Sequence, residues 1–280
     1  MQELRLPPPP RHVPLSLFIA NATGSKIAWL VLAFASVFFW FFAMRADLAF
    51  IAFRPPYQEA EASVIGSRKT GASENKVSVY EVRYEYSADG KTFEGKSYNV
   101  GSAPDAGEHV TVEYLPGAPQ SSRVAGMRRD LWSPWMLLIT IFPAGALLVV
   151  YFTARNGLRR CRLLRDGFLT TAKCIEQRGT NMRVNNQQVY ELVFGFTAID
   201  GRECTTTIRT HQVDRLRDEE EEPLLYDLTD PSRAYLLDSM PSRPKLNEVG
   251  ELEGRPVAAV FALLFPLFAA AVNWLIFVNR

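Results

Sequence analysis

The densest set of groups able to do chemistry in this chain is the run Asp218-Glu219-Glu220-Glu221-Glu222. Adjacent carboxylates can hold a hard cation. A calcium loop, however, spaces its ligands at alternate positions and turns on a glycine, and this run does neither. With Arg215 and Arg217 close by, it reads as a solvated, charge-balanced loop. The histidines His12, His109 and His211 lie far apart, and no two have the spacing of ligands on one helix face. Cys161, Cys174 and Cys204 form no C-x-x-C pair, so a zinc site is not expected. There is no glycine-rich phosphate loop and no G-x-S-x-G turn. Ser, Cys and His are too scattered to compose a nucleophile with its base. The expectation is a protein with no catalytic, cofactor-binding or metal-ligating residues, no cofactor and no enzymatic activity. The 31 Lys and Arg are balanced by 30 Asp and Glu. That excludes the basic surplus of a nucleic-acid binder, so no nucleic-acid partner is expected.

The elements that would position any site are dominated by three runs nearly free of charge: Ile27 to Met44, Leu131 to Ala154, and Pro256 to Asn279. Eighteen or more apolar residues, at about 1.5 Å each, cover roughly the 30 Å of a bilayer core. Trp40, Trp132, Trp135, Tyr151 and Trp274 lie near the ends of these runs, where amphipathic rings prefer the headgroup level. The alternative is three buried core helices, but core helices of this length normally carry a polar stripe. The first run starts behind a Pro-rich tail, "LPPPPRHVP", and reads as a retained span rather than a cleaved signal, although "AMRADLAF" mimics a small-residue cleavage site. The tail reads as a short extended spacer. Arg45 and Asp47 are expected at the interface, with "LAFIAF" lying along the membrane. Pro134, Pro143 and Pro266 are expected to kink their helices, and Asn273 can hydrogen-bond a neighbouring helix.

Loops retained in the cytoplasm are richer in Lys and Arg. Arg155, Arg159, Arg160, Arg162, Arg165 and Lys173 follow the second run. With the N-terminus inside, the inner flanks carry nearly twice the basic residues of the outer flanks, even with Arg123, Arg128 and Arg129 on the outer side. All three cysteines fall in the segment this places in the cytoplasm, as reduced thiols require. The stretch Arg155 to Gly167 is expected to prolong the second span as a basic helix that ends at a Gly167 C-cap, with Leu158, Cys161 and Leu164 on one side. Such a helix either sets topology or lies on anionic lipid.

The chain spells one pattern twice. Shifted by 110 positions, Ala62, Ile65, Arg68 and Thr70 meet Ala172, Ile175, Arg178 and Thr180. Val79-Tyr80-Glu81 meet Val189-Tyr190-Glu191, and Tyr84 and Tyr86 meet Phe194 and Phe196. One extra residue, Ile199, then brings Asp89-Gly90 onto Asp200-Gly201. This predicts a duplicated folding unit with a membrane span between the copies. Each copy reads as four or five short strands. In the first, Tyr80, Val82, Tyr84 and Tyr86 face a core while Glu81, Arg83 and Glu85 face water. Asp89-Gly90 sits where a two-residue hairpin needs positive φ. A small antiparallel barrel or curled sheet follows, because closure removes exposed edges. In the second copy the outer face, Val189, Glu191, Val193 and Gly195, has lost charge. It is expected to be covered by the chain itself, a membrane surface or another subunit.

The segments "VYEVRYEYSADGKTFEGKSY", "GEHVTVEYLPGAPQSSR", "LLRDGFLTTAKC" and "LLYDLTDPSRAYLLD" resemble the domain of unknown function 3592 family of bacterial membrane proteins, in two copies. The carrying residues are the aromatic strand, the Asp89-Gly90 hairpin, and Val110, Val112, Tyr114, Pro116 and Pro119. The second copy departs from the pattern, with Leu228 in place of the first proline and "DEEEEP" in place of a Gly-containing entry to the strand. The resemblance implies fold and membrane placement; the family brings no activity with it.

These readings give an integral membrane α + β protein: three transmembrane helices with two repeated small antiparallel β-barrel or sheet modules. Residues 1–26 form the Pro-rich tail, 27–53 the first span and interfacial segment, and 54–130 the first β-module. Residues 131–154 form the second span, 155–255 the basic juxtamembrane helix and second β-module, and 256–279 the third span. The expected location is the bacterial inner membrane, with the N-terminus cytoplasmic and the C-terminus periplasmic. The expected partners are the lipid bilayer and a protein. The expected function is a non-enzymatic binding or interaction module of the envelope, or alternatively an accessory or protective subunit of a membrane enzyme, channel or toxin.

Overall fold

The structure, a computed structural model, describes residues 6–217, 219–240, 244–247 and 251–279. Its contacts divide the chain into two compact units. One comprises residues up to Ala33 together with Gly145–Leu275; the other comprises Phe34–Ala144 and the residues after Leu275.

Five α-helices and ten strands are described. The helices are α1 (Leu15–Ala22), α2 (Lys26–Phe41), α3 (Ala49–Ala52), α4 (Ile141–Asp166) and α5 (Pro256–Val278). Three helical segments, Lys26–Arg45, Pro134–Asp166 and Pro256–Val278, are long and apolar enough to cross a membrane. In the second and third only 11% of the most apolar window is buried within the protein. Side chains such as Phe142, Leu148, Phe152, Val260, Leu267 and Leu275 are exposed. The chain itself leaves these apolar faces uncovered, surface on a scale that would associate in water. Pro134 opens a 3-10 turn (Pro134–Thr140) ahead of α4, where a missing N–H is harmless. Pro266 lies inside α5. The Asn273 amide donates to Ala269 O one turn back in its own helix (2.9 Å).

The unit containing the first sheet is built from β1 (Gln58–Glu74), β2 (Val77–Ala88), β3 (Lys91–Val100), β4 (His109–Leu115) and β5 (Ala118–Val124). All neighbours are antiparallel, in the order β3-β2-β1-β4-β5. The sheet curls until its edges meet. Tyr98 and Arg128 exchange both backbone hydrogen bonds (2.8 and 3.0 Å), and the Ser97 hydroxyl accepts from Val124 N (2.8 Å). The inside is filled by Ala62, Tyr84, Tyr86, Val112, Tyr114 and Val124. Two-residue turns with positive φ at both positions join β1 to β2 at Asn75-Lys76 and β2 to β3 at Asp89-Gly90. The expected wet face of β2 is only partly wet. Glu81 is 5% exposed, and Val79 on the same face is fully buried. Val79 packs with Ala72 and Tyr98, and Leu131 and Trp132, from the segment leading into the second long apolar helix, lie over them. Alternation along one strand cannot report cover that arrives from fifty residues away.

At the end of the first apolar helix, Arg45 and Asp47 take structural places. Asp47 N donates to Trp132 O (2.8 Å) and Trp132 N to Arg45 O (3.0 Å). The Asp47 carboxylate, buried, accepts from the N–H of Ala49, the first residue of the short helix α3 (2.9 Å).

The other unit carries β6 (Phe168–Val184), β7 (Gln187–Thr197), β8 (Glu203–Thr210), β9 (Glu222–Tyr226) and β10 (Ala234–Leu236), in the order β10-β9-β6-β7-β8. Read in reverse, this is the strand order of the first sheet. The details repeat as well. A bulge falls at Ile65 in β1 and at Ile175 in β6. The β6–β7 turn is Asn185-Asn186, again with positive φ at both residues. The hairpins after β2 and β7 differ as the extra residue requires. Ile199-Asp200-Gly201 is a three-residue loop in which Gly201 alone has positive φ (80°) and Ala198 N bonds to Arg202 O (2.9 Å). The core holds Ala172, Leu192, Phe194, Phe196, Leu224, Tyr226 and Leu236. On the outer face, Ile175 would contact a Cβ at Gly195 at 3.3 Å, so part of the less charged surface is covered by the chain itself.

In the same unit the N-terminal segment is not an extended spacer. Leu17 of α1 is fully buried with Leu163, Leu164, Leu225, Leu237, Met240 and Leu252. Arg11 is buried, its backbone N bonded to Arg165 O (2.7 Å) and its guanidinium to Leu164 O (3.3 Å). Burial lowers the pKa of this arginine, with Asp166 acting in the opposite sense. The basic stretch continues α4 as far as Asp166, as expected. Its Cys161 and Leu164 are buried while Leu158 is exposed. Gly167 ends the helix without positive φ; a Cβ there would lie 2.5 Å from Leu163 O. The glycine is required by close approach, not by a left-handed cap.

Candidate functional site

Two constellations stand out. The first is a groove of about 840 Å³ beside the C-terminal half of α4. One wall presents Arg155, Arg159 and Arg162, spaced i, i+4, i+7 and therefore on one helix face. The other wall brings Thr205 and Thr207 of β8 and Arg233 from the β9–β10 connection. Two carboxylates also border the groove, and both have partners elsewhere. Asp166 holds the Arg165 guanidinium (2.9 Å), and Asp227 accepts from the Thr229 amide and hydroxyl (2.9 and 2.7 Å). The Thr229 bond lowers the Asp227 pKa, so this group is ionised at neutral pH. Arg233 pairs with Asp230 at 2.9 Å. Arg155, Arg159 and Arg162 form no hydrogen bond or ion pair among the described residues. Tyr235, also lining the groove, carries the Arg160 guanidinium over its ring at 5.5 Å.

The second constellation lies in the first sheet. Arg68 reaches across from β1 and grips buried Glu81 with two bonds (3.1 and 3.0 Å), and the Tyr98 hydroxyl donates to the same carboxylate (3.3 Å). The Arg68 bond is the largest influence holding the Glu81 carboxyl below the usual carboxylate range, while burial works against it. Burial pushes the Tyr98 phenol up. The network is satisfied within the sheet, so it is a clasp rather than a reactive centre. A group of this kind contributes stability above its unfolded pKa of about 4.3, and that contribution is lost as pH falls through the lower folded value. Amide exchange of β2 and β3 in the full chain, corrected for intrinsic rates, should therefore accelerate between pH 5 and pH 3. Glu81→Gln should raise exchange at pH 7 and flatten the pH dependence. An unchanged profile in the variant would remove Glu81 as its source.

The groups singled out by sequence remain dispersed. His109 faces Glu61 (3.3 Å) on exposed surface of the first sheet, and His211 follows β8 of the second. The three cysteines are free. Among the described residues no group of three His, Cys, Asp or Glu side chains can hold a metal ion. In the acidic run Asp218 lies outside the described residues. Glu220 and Glu221 pair with Lys173 (3.7 and 3.1 Å), rather than with the neighbouring arginines, and Glu221 accepts from Thr171 (2.7 Å). The arginine groove is absent from the sequence reading. The i, i+4, i+7 arginines were legible on a helix, but their facing wall comes from residues 43 or more positions away.

Residues 60–128 match the family model described as Domain of unknown function (DUF3592). The matched segment begins in β1 and ends just after β5, so it coincides with the first sheet and its closing Tyr98–Arg128 bridge. No curated protein and no solved structure matches the chain.

Proposed function

We propose that this protein is a non-enzymatic binding module of a bacterial inner membrane, carrying two copies of one β-module on opposite faces of the bilayer. The observation that supports the reading is the shared strand order of the two sheets, repeated down to the bulges at Ile65 and Ile175 and the turns at Asn75-Lys76 and Asn185-Asn186, with one membrane-length helix between them in the chain. A single crossing between two modules puts them in different aqueous compartments. The excess of arginine after the second span favours the second module inside, with the N-terminus, and the first module and C-terminus outside. The docking of Arg11 and α1 onto the same unit as the second sheet fits this arrangement, since both then share one compartment. The second copy belongs, on this reading, to the same family as the matched segment. Each module would act by engaging a protein partner. The accessory-subunit reading finds less support, because the small-residue stripe Ala259, Ala262 and Ala269 of α5 is already covered within the chain.

The test is site-specific labelling in intact cells, with the native cysteines replaced. Lys91→Cys and Glu203→Cys are both exposed positions beside the second hairpin of each copy. A membrane-impermeant maleimide should label position 91 in intact cells and position 203 only after permeabilisation. Equal labelling of both before permeabilisation would overturn the two-sided arrangement.

A further inference from the structure

We infer that the groove beside α4 is a binding site for the phosphate of an anionic phospholipid headgroup. Three observations converge. First, Arg155, Arg159 and Arg162 present three guanidinium groups on one helix face with no carboxylate or carbonyl partner among the described residues. Like charges at i, i+4 repel, so the fold keeps an arrangement that a bound anion relieves. Second, the opposite wall brings Thr205 and Thr207, whose side chains carry hydroxyls a phosphate can use, and Arg233, whose guanidinium also pairs with Asp230. Guanidinium matches phosphate oxygens two at a time, which an ammonium does not. The volume of about 840 Å³ is large enough to admit a phosphate and the glycerol attached to it. Third, the groove sits at the right depth. The apolar run ends at Ala154 and the arginines begin at the next residue. Arg155 to Arg162 covers roughly 10 Å of helix, and the headgroup layer on each side of a bilayer is roughly 5–8 Å deep. A phosphate in that layer lies level with the groove, whereas a soluble phosphate compound has no reason to be concentrated there.

The basic stretch thus does more than orient the chain, and more than attract a charged surface. A diffuse attraction needs only the helix. The groove needs the helix, β8 and the β9–β10 connection together.

The full chain in nanodiscs of phosphatidylcholine doped with phosphatidylglycerol provides the test, with lipids retained on the released protein counted by native mass spectrometry. Incorporation into the disc reports on membrane insertion separately from lipid preference. The wild type should retain phosphatidylglycerol over phosphatidylcholine. Replacing Arg155, Arg159 and Arg162 together by Gln should weaken that preference on the order of 100-fold, about fivefold for each arginine. Arg233 lies 23 residues before the third apolar run, outside the flanks whose basic residues set topology, so Arg233→Gln guards against misinsertion of the triple variant. It should weaken the preference about fivefold. Equal retention of both lipids by the wild type would overturn the proposal. Loss in the triple variant with none in Arg233→Gln would overturn the groove in favour of a bare helix face. Displacement of the lipid by millimolar inorganic phosphate would overturn the lipid as the source of the phosphate.

Discussion

Gly95→Ala should unfold the first β-module, with a loss of about 3 kcal/mol or more. Gly95 lies opposite Tyr84 in the β2–β3 register, and the Tyr84 ring lies across it. A Cβ at position 95 would stand 2.4 to 2.5 Å from two atoms of that ring and from its hydroxyl oxygen. The ring cannot step aside. Tyr84 is fully buried, and its hydroxyl bonds to the Ser122 hydroxyl at 3.0 Å on the far side of the curled sheet. Tyr84→Ala alone should cost about 4 kcal/mol, the range for emptying an aromatic site in a core. The two changes together should cost little more than Tyr84→Ala, because the clash disappears with the ring. A module of some seventy residues has few kcal/mol in reserve, so either single change should expose it. Amide exchange across β1 to β5 in the full chain reads the outcome. Gly66→Ala, in β1 of the same sheet with nothing within 4 Å, serves as control and should be neutral or slightly stabilising. Additive losses in the double variant would show that the ring does not rest on Gly95.

Much of this fold could be read from local pattern, and the exceptions share one cause. Asp89-Gly90, the alternating tyrosines of β2 and the three apolar runs are short-range signals, and each names its own structure. The extra Ile199 was legible as a register shift, and it became a three-residue hairpin for the same local reason. The Asn75-Lys76 and Asn185-Asn186 turns were also within reach, since two successive residues of this kind before a strand signal positive φ. What was not legible depends on partners distant in sequence. Glu81 looked wet because its strand neighbours alternate, yet Trp132 and Leu131 help cover that face and Arg68 neutralises it. Gly95 carries no local sign of its role, which follows only from the register that places Tyr84 over it. The N-terminal prolines looked like a spacer because nothing local shows that Arg11 meets the end of α4. The arginine groove follows the same rule, its two walls being separate in the chain.

The docking of α1 rests on one such distant contact, and Gly157→Ala should break it. A Cβ on Gly157 would lie 2.0 Å from Asn21 O, 2.9 Å from Asn21 C and 3.2 Å from the Ala22 Cα. All three atoms are backbone, so no side chain can rotate out of the way. Carbon and carbonyl oxygen rest no closer than about 3.3 Å, and the helices must part by more than 1 Å. That separation removes more than one contact. Leu17 loses its place among Leu163, Leu164 and Met240, and the Ser16 hydroxyl loses the Arg255 amide it accepts from at 2.8 Å. Emptying a leucine site alone costs about 2 to 5 kcal/mol. The expected result is rapid amide exchange through residues 15–22 and new protease cleavage near Arg11, with the sheets intact. Gly145→Ala in the same helix meets nothing within 4 Å and should behave in the opposite way, gaining up to about 1 kcal/mol of helix propensity. Two identical substitutions twelve residues apart on α4 thus carry opposite signs. The difference isolates the packing of α1 on α4 from any general effect of adding a methyl group, and equal exchange in the two variants would leave α1 held by something other than Gly157.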